Sequence, residues 1–205
     1  MPHGLFLVLE GLDGTGKSTQ ARRLAERVGK TGRPVLHLRE PGGTPLGERV
    51  REALLDPASG DLDATTEVFL YQAARRRIVL ERIRPALDAG TVVVCERWHY
   101  ATTAYQGAGG GADLDLIRRT SAAATGGLEP RRALLLALPD DEAVRRRSDR
   151  EPDRIERKDA DYRARVAAAF RALFSGDPDR FRVVDAAGGP DEVEERVWEA
   201  VHDLL

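Results

Sequence analysis

Leu5-Phe6-Leu7-Val8-Leu9-Glu10-Gly11-Leu12-Asp13-Gly14-Thr15-Gly16-Lys17-Ser18 is an apolar run that breaks into a glycine turn and ends on a lysine and a hydroxyl. Leu5 to Leu9 is short enough for a buried strand. From Lys17 to Gly29 the positions Ala21, Leu24, Ala25 and Val28 share one face at helical spacing, which predicts a helix. Between them Gly11 and Gly16 bracket four residues and Lys17-Ser18 follows, directly after a strand and directly before a helix. Glycines let the backbone turn its N–H groups inward as a nest, and the helix N-terminus adds a positive end, so this loop suits the phosphates of a nucleoside triphosphate. Lys17 is placed to reach the β- and γ-phosphates and Ser18 to offer its hydroxyl to Mg²⁺. The candidate ATP site is then Gly11, Leu12, Asp13, Gly14, Thr15, Gly16, Lys17, Ser18 and Thr19. Lysine is scarce in this arginine-rich chain, which makes Lys17 the more telling.

Working outward, short apolar runs alternate with longer helical patterns. Strands are expected at Val35 to Leu38, Val92 to Cys95, Ala133 to Leu138 and Arg182 to Val184. Helical spacing is found around Gly47 to Leu55, Thr66 to Ala89, Leu114 to Ala124, Asp140 to Arg147, Asp159 to Leu173 and Asp191 to Leu205. That alternation predicts an α/β fold of the P-loop type, a five-stranded parallel sheet with helices on both faces. A fully apolar strand such as Val92 to Val94 suits its centre. Neither a repeat nor an interdomain linker interrupts the pattern, so residues 1–205 are expected to form one domain.

A chain of 205 residues with 41 % hydrophobic content can bury a core, and its formal charge of −2 gives no basic footprint for nucleic acid or an anionic membrane. The single cysteine, Cys95, sits in an apolar strand and reads as a structural thiol suited to a reducing cytoplasm. No stretch approaches the ~18 apolar residues that a membrane span needs.

From the phosphate loop onward the sequence resembles the thymidylate kinase family, in its bacterial form with arginines in a lid. The most specific element is Arg39-Glu40-Pro41-Gly42-Gly43-Thr44-Pro45-Leu46-Gly47-Glu48. It sits at a strand end, where ligands of such sheets bind. The resemblance implies that Arg39 and Pro41 contact the acceptor nucleotide, with Arg39 on its phosphate. Tyr71 and Arg75, four apart on one helix face, would stack on the base and bond its carbonyl. Glu96-Arg97-Trp98 stands where the family shows an aspartate, an arginine and an aromatic. Glu96 would act near Mg²⁺ with Ser18, and Arg97 would bridge the donor and acceptor phosphates. Thr102 and Gln106 would meet the thymine edge, Tyr105 the sugar, and Asp13 the 3′-hydroxyl. Gly107 to Gly111 reads as a loop.

Gly14 occupies the position at which one variety of the family carries a catalytic arginine. Asp153-Arg154-Ile155-Glu156 matches the lid of the other variety, so residues 143–158 are expected to close over ATP and bring Arg154, with Arg147 and Arg150, to the transferring phosphoryl. Catalysis is thus assigned to Lys17, Glu96, Arg97 and Arg154. Four positions depart from the family pattern: Ala74, Ile78, Ala137 and Glu96.

The resemblance implies transfer of the γ-phosphoryl of ATP to dTMP, giving ADP and dTDP for dTTP synthesis, in a cytoplasmic Mg²⁺-dependent homodimer. Another small-molecule P-loop kinase and a non-catalytic nucleotide-binding module are the competing readings.

Overall fold

The computed structural model describes residues 4–146 and 151–205. Arg147 and Arg150 lie outside the described residues. β1 (Leu5–Glu10) is buried along its whole length. Successive strand side chains point to opposite faces, and here each face meets its own core: Phe6 and Val8 on one side, Leu5, Leu7 and Leu9 on the other. β1 is the middle of a parallel five-stranded sheet ordered β2-β3-β1-β4-β5, with β2 (Val35–Arg39), β3 (Val92–Glu96), β4 (Arg132–Ala137) and β5 (Phe181–Asp185). The alternation continues across its neighbours. Val93, Cys95, Ala133 and Leu135 join the core of Phe6, and Val92, Val94, Leu134 and Leu136 join that of Leu7.

The helices are α1 (Lys17–Lys30), α2 (Pro45–Leu55), α3 (Ala64–Ile78), α4 (Arg84–Asp88), α5 (His99–Thr102), α6 (Leu114–Thr125), α7 (Asp140–Arg145), α8 (Ala160–Phe174) and α9 (Pro190–Glu199). Ala21, Leu24 and Val28 of α1 and Val193 and Val197 of α9 cover one face of the sheet. Tyr162, Val166, Phe170 and Phe174 of α8 cover the other. β1 and β3 are neighbours from which the chain departs in opposite directions, β1 toward β2 and β3 toward β4, so the segments leaving their carboxyl ends diverge and leave a crevice between them.

The predicted elements are present, and their ends are set by caps. Thr44 accepts from Gly47 N at 3.0 Å and starts α2 at Pro45, and Asp63 accepts from the amides of Thr65 and Thr66 and starts α3 at Ala64. Three expectations need correction. The long pattern from Thr66 to Ala89 is broken by a π-helical stretch, Val79–Ile83, between α3 and α4. The last helix stops at Glu199, and a 3₁₀ turn follows at His202–Leu204.

The third correction is the largest. Residues 99–109, part of which reads as a glycine loop, are helical: α5 runs into a second π-helical stretch, Thr103–Gly109. Its glycines are there for contact rather than flexibility. A Cβ on Gly109 would lie 2.7 Å from the Tyr162 ring, and one on Gly107 would lie 2.6 Å from Leu114. Among the described residues no helix is long and apolar enough to cross a membrane.

Candidate active site

The loop after β1 has the conformation its glycines permit. Gly11, Gly14 and Gly16 have φ of 143°, 89° and 88°, values that side-chain-bearing residues rarely adopt. Gly14 is doubly constrained, since a Cβ there would lie 2.1 Å from the carbonyl oxygen of Ala143 in α7. This loop therefore has no room for an arginine at position 14. Lys17 folds back across the loop, donating from Nζ to the Leu12 carbonyl at 2.6 Å and lying 3.7 Å from Asp13. Burial and then the Arg97 charge lower its pKa to about 8, so the amine is set to gain from an incoming polyanion.

Glu96 closes the end of β3 over this loop. Its Oε2 accepts from Ser18 Oγ at 2.5 Å, and its Oε1 lies 2.8 Å from His37 Nε2. Burial raises the pKa of such a group, but the His37 and Ser18 hydrogen bonds and the Lys17 charge outweigh it and hold Glu96 below the usual carboxylate range. A hydroxyl and a carboxylate converging at a phosphate cleft form an oxygen donor set that fits Mg²⁺, which keeps its remaining positions for water and phosphate oxygens. Among the described residues no cluster of three acidic, histidine or cysteine side chains offers a complete protein cage. His37 was not among the residues the sequence suggested.

Arg97 is the only non-glycine with positive φ among the described residues, at 68°. Strain of this kind concentrates at functional sites. Two contacts aim its side chain: an ion pair with Asp13 and the face of the Tyr105 ring, 5.0 Å from Cζ to the centroid. Tyr105 Oη also reaches Asp13, at 3.3 Å. Burial works against the Arg97 charge, but Asp13 and the other acids around it keep the guanidinium protonated.

Behind Arg97 lies a cleft lined by Pro41, Tyr71, Arg75, Thr102, Tyr105 and Gln106, residues drawn from three separate segments. The sequence assigned all six to the acceptor, and the fold brings them together. Arg75 is held rigidly, its Nε donating to Glu40 at 2.6 Å and its Nη atoms to Gln72 and Thr102. Arg39 lies toward the phosphate side, half-exposed and paired with Glu48 at 3.1 Å. Arg51 of α2, which sequence reasoning missed, lines both this cleft and the phosphate cleft. Burial and the nearby charges of Arg39 and Arg97 lower its pKa, so an anion placed among the three would be favoured. In the sequence Arg51 stands among the charged residues Arg49 and Glu52, and nothing local marks it out from them.

Arg154 is not where the sequence placed it. It is 7 % exposed and turned away from the phosphate loop, paired with Glu67 at 2.7 Å and donating from Nε to the Leu54 carbonyl at 2.9 Å. A carboxylate on α3 and the open C-terminal carbonyls of α2 offer this arginine more than solvent does. Asp153 and Ile155 on either side of it line the acceptor cleft. The arginine that lines the phosphate cleft among the described residues of this region is Arg146, which reaches the Ala186 carbonyl at 3.1 Å.

Two departures from the family pattern are packing residues rather than cleft residues. Ala74 is buried against Val50 and Leu54, and Ile78 fills the core beside Gly43, where a Cβ would come within 2.6 Å of it. Ala137 ends β4 and accepts from the amide of Ala186 at 2.8 Å.

The family model of thymidylate kinase matches residues 9–197. A thymidylate kinase of Deinococcus radiodurans is 45 % identical over 204 residues, covering 99 % of this chain and 98 % of that protein. One of Syntrophotalea carbinolica is 42 % identical over 207 residues, covering 98 % and 96 % respectively. Among solved structures, the crystal structure of thymidylate kinase from Ehrlichia chaffeensis superposes with a TM-score of 0.81 at 28 % identity, covering 98 % of this chain and all of that one.

Proposed function

The chain belongs to the thymidylate kinase family, and from that premise we propose that it transfers the γ-phosphoryl of ATP to dTMP, giving ADP and dTDP for dTTP synthesis. One observation carries the reading: the phosphate cleft and the acceptor cleft are joined, sharing Asp13, Glu40, Arg51, Leu55, Arg97 and Asp153. A donor phosphate over the loop and an acceptor phosphate at Arg51 and Arg97 therefore face each other across one passage. In-line transfer needs that arrangement.

The residue roles follow. The amides of residues 11–19 hold the β-phosphate, and Lys17 stabilises the charge that grows on the γ-phosphoryl. Ser18 and Glu96 would hold Mg²⁺, which would supply positive charge against the phosphate oxygens. Arg39, Arg51 and Arg97 grip the acceptor phosphate, an oxygen of which is already ionised and needs no general base. Tyr71 stacks on the base, Arg75, Thr102 and Gln106 line its polar edge, and Asp13 and Tyr105 wall the sugar. Residues 143–158 act as a lid on this one domain, with Arg146 its phosphate-facing cation and Asp153 and Ile155 its contribution to the acceptor cleft.

The assembly we infer is a homodimer built on α3, where Phe69 is 54 % exposed, and on the adjoining π-helical stretch, where Leu80 is 44 % exposed. A cytoplasmic setting goes with these substrates. The decisive experiment is a coupled ADP-release assay across dTMP, dUMP, dCMP and AMP. dTMP is expected to lead in kcat/KM by at least about tenfold, and any other ranking overturns the acceptor assignment.

A further inference from the structure

Behind the acceptor cleft stands a buried carboxylate that the functional reading does not use. Glu67, in the first turn of α3, is 4 % exposed, and its two oxygens serve two partners. Oε2 accepts from Gln106 Nε2 at 2.8 Å, and Oε1 pairs with Arg154 Nη2 at 2.7 Å. Arg154 is itself fixed from behind, donating from Nε to Leu54 O at 2.9 Å and from its backbone amide to Leu55 O at 3.0 Å.

The chemistry of the three groups dictates the orientation of the middle one. A guanidinium only donates, and a carboxylate paired with it only accepts. Gln106 must then turn its amide nitrogen toward Glu67. An amide with no such neighbour can present either end, because a half-turn about its last torsion exchanges nitrogen and oxygen. With the nitrogen committed, the carbonyl Oε1 is the end that Gln106 can offer to the cleft it lines.

We propose that Glu67 is a positioning residue that sets acceptor selectivity: it holds Gln106 with its carbonyl oxygen toward the base, so that the cleft accepts a pyrimidine carrying a ring N–H and rejects one carrying a ring lone pair. Thymine and uracil have that N–H at N3, whereas cytosine has a bare nitrogen there. A site built to bond an N–H discriminates strongly, because the wrong base leaves a buried acceptor facing another acceptor. The inference rests on the pyrimidine-monophosphate reading above and extends it to a residue outside the cleft wall.

Glu67→Gln tests it, since glutamine has nearly the same volume but can donate as well as accept, which frees Gln106 to rotate. Steady-state kcat and KM are measured with dTMP and with dCMP. The wild-type preference for dTMP in kcat/KM is expected to fall by about tenfold or more in the variant, through a raised dTMP KM with kcat held within about threefold. A merely structural role would lower kcat/KM for both nucleotides by one common factor, and that result in a folded variant overturns the proposal. Gln106→Met removes both ends of the amide and is the second arm. It is expected to lose the same discrimination, and the double variant no more; retained selectivity in Gln106→Met, or additive losses in the double variant, overturn the proposal. A wild-type protein without dTMP preference overturns the functional reading and this inference together. A dTMP-selective wild type with an equally selective Glu67→Gln overturns the inference alone.

Discussion

Residues 11–18 and the acceptor cleft meet at Arg97, but the chain builds them in opposite ways. The phosphate loop is one contiguous segment that binds with backbone, and its geometry is written in three glycines at positive φ and a helix start. The acceptor cleft is made of side chains from the turn after β2, α2, α3, α5 with its π-helical continuation, and the segment after α7, several of them held by another: Arg75 by Glu40, Arg97 by Asp13, and Gln106 by Glu67, which Arg154 holds in turn. A backbone site tolerates change around it as long as its dihedral angles are kept. A side-chain site transmits any change along its chain of partners.

The largest effect expected falls on the backbone site, where one side chain carries the mobile charge. Lys17→Ala should lower kcat by ~10³- to 10⁴-fold, roughly 4 to 5.5 kcal/mol of transition-state stabilisation, with the melting temperature nearly unchanged. Rapid-quench turnover and a thermal melt check the two halves. A turnover near wild type would show that the loop amides alone carry the donor phosphates.

This contrast also explains what could be read from the sequence. The strands were legible because both faces of the sheet are buried and the apolar runs are unbroken, as in Val92 to Val94. The loop was legible because motif and site are one stretch. Where a side chain's setting depends on a distant partner, local pattern failed. Gly107 to Gly111 reads as a loop, yet the helical stretch runs on to Gly109 from a start at which Glu10 Oε1 accepts from Trp98 N at 2.7 Å across 88 positions of sequence. Arg154 sits in a motif that carried the family but not the side chain's direction, which is set by Glu67 on α3. Arg51 and His37 were silent for the same reason, each taking its role from charges on other elements.

Arg154 offers the next largest effect and the sharpest break between the two regions. Replacing it with Met would strand the Glu67 carboxylate in a site where it is 4 % exposed. Loss of one partner of a buried pair costs roughly 3 to 5 kcal/mol, so the unfolding free energy should drop by about 4 kcal/mol while kcat at saturating substrates falls less than about tenfold. Urea denaturation and steady-state kinetics decide it. Unchanged stability with a thousandfold slower kcat would return Arg154 to the transferring phosphoryl.

The smallest of the three effects concerns the seam itself. Glu10 ends β1 on the donor side, yet its carboxylate holds the amides of Trp98 and Ala101 on the acceptor side, at 2.7 and 3.3 Å, and so steadies the strained residue Arg97. Burial raises its pKa from 4.5 to about 7, against the opposing pull of Arg97 and Lys17. The folded state therefore keeps the Glu10 proton between pH 4.5 and about 7, where the unfolded chain has released it. Glu10 favours folding most below pH 4.5, and that contribution is lost as pH rises through 7. Moving this wholly buried carboxyl from 4.5 to about 7 corresponds to on the order of 3 kcal/mol. Glu10→Gln keeps an oxygen for both amides but cannot titrate. Denaturation of both proteins from pH 4.5 to 8 should show the wild type losing stability relative to Glu10→Gln by that amount, with the steepest change midway between 4.5 and 7 and a plateau above about 7. Parallel profiles would mean that Glu10 is ionised throughout, held by the Arg97 and Lys17 charges, and that the two regions are joined by an ion cluster rather than by a neutral carboxyl cap.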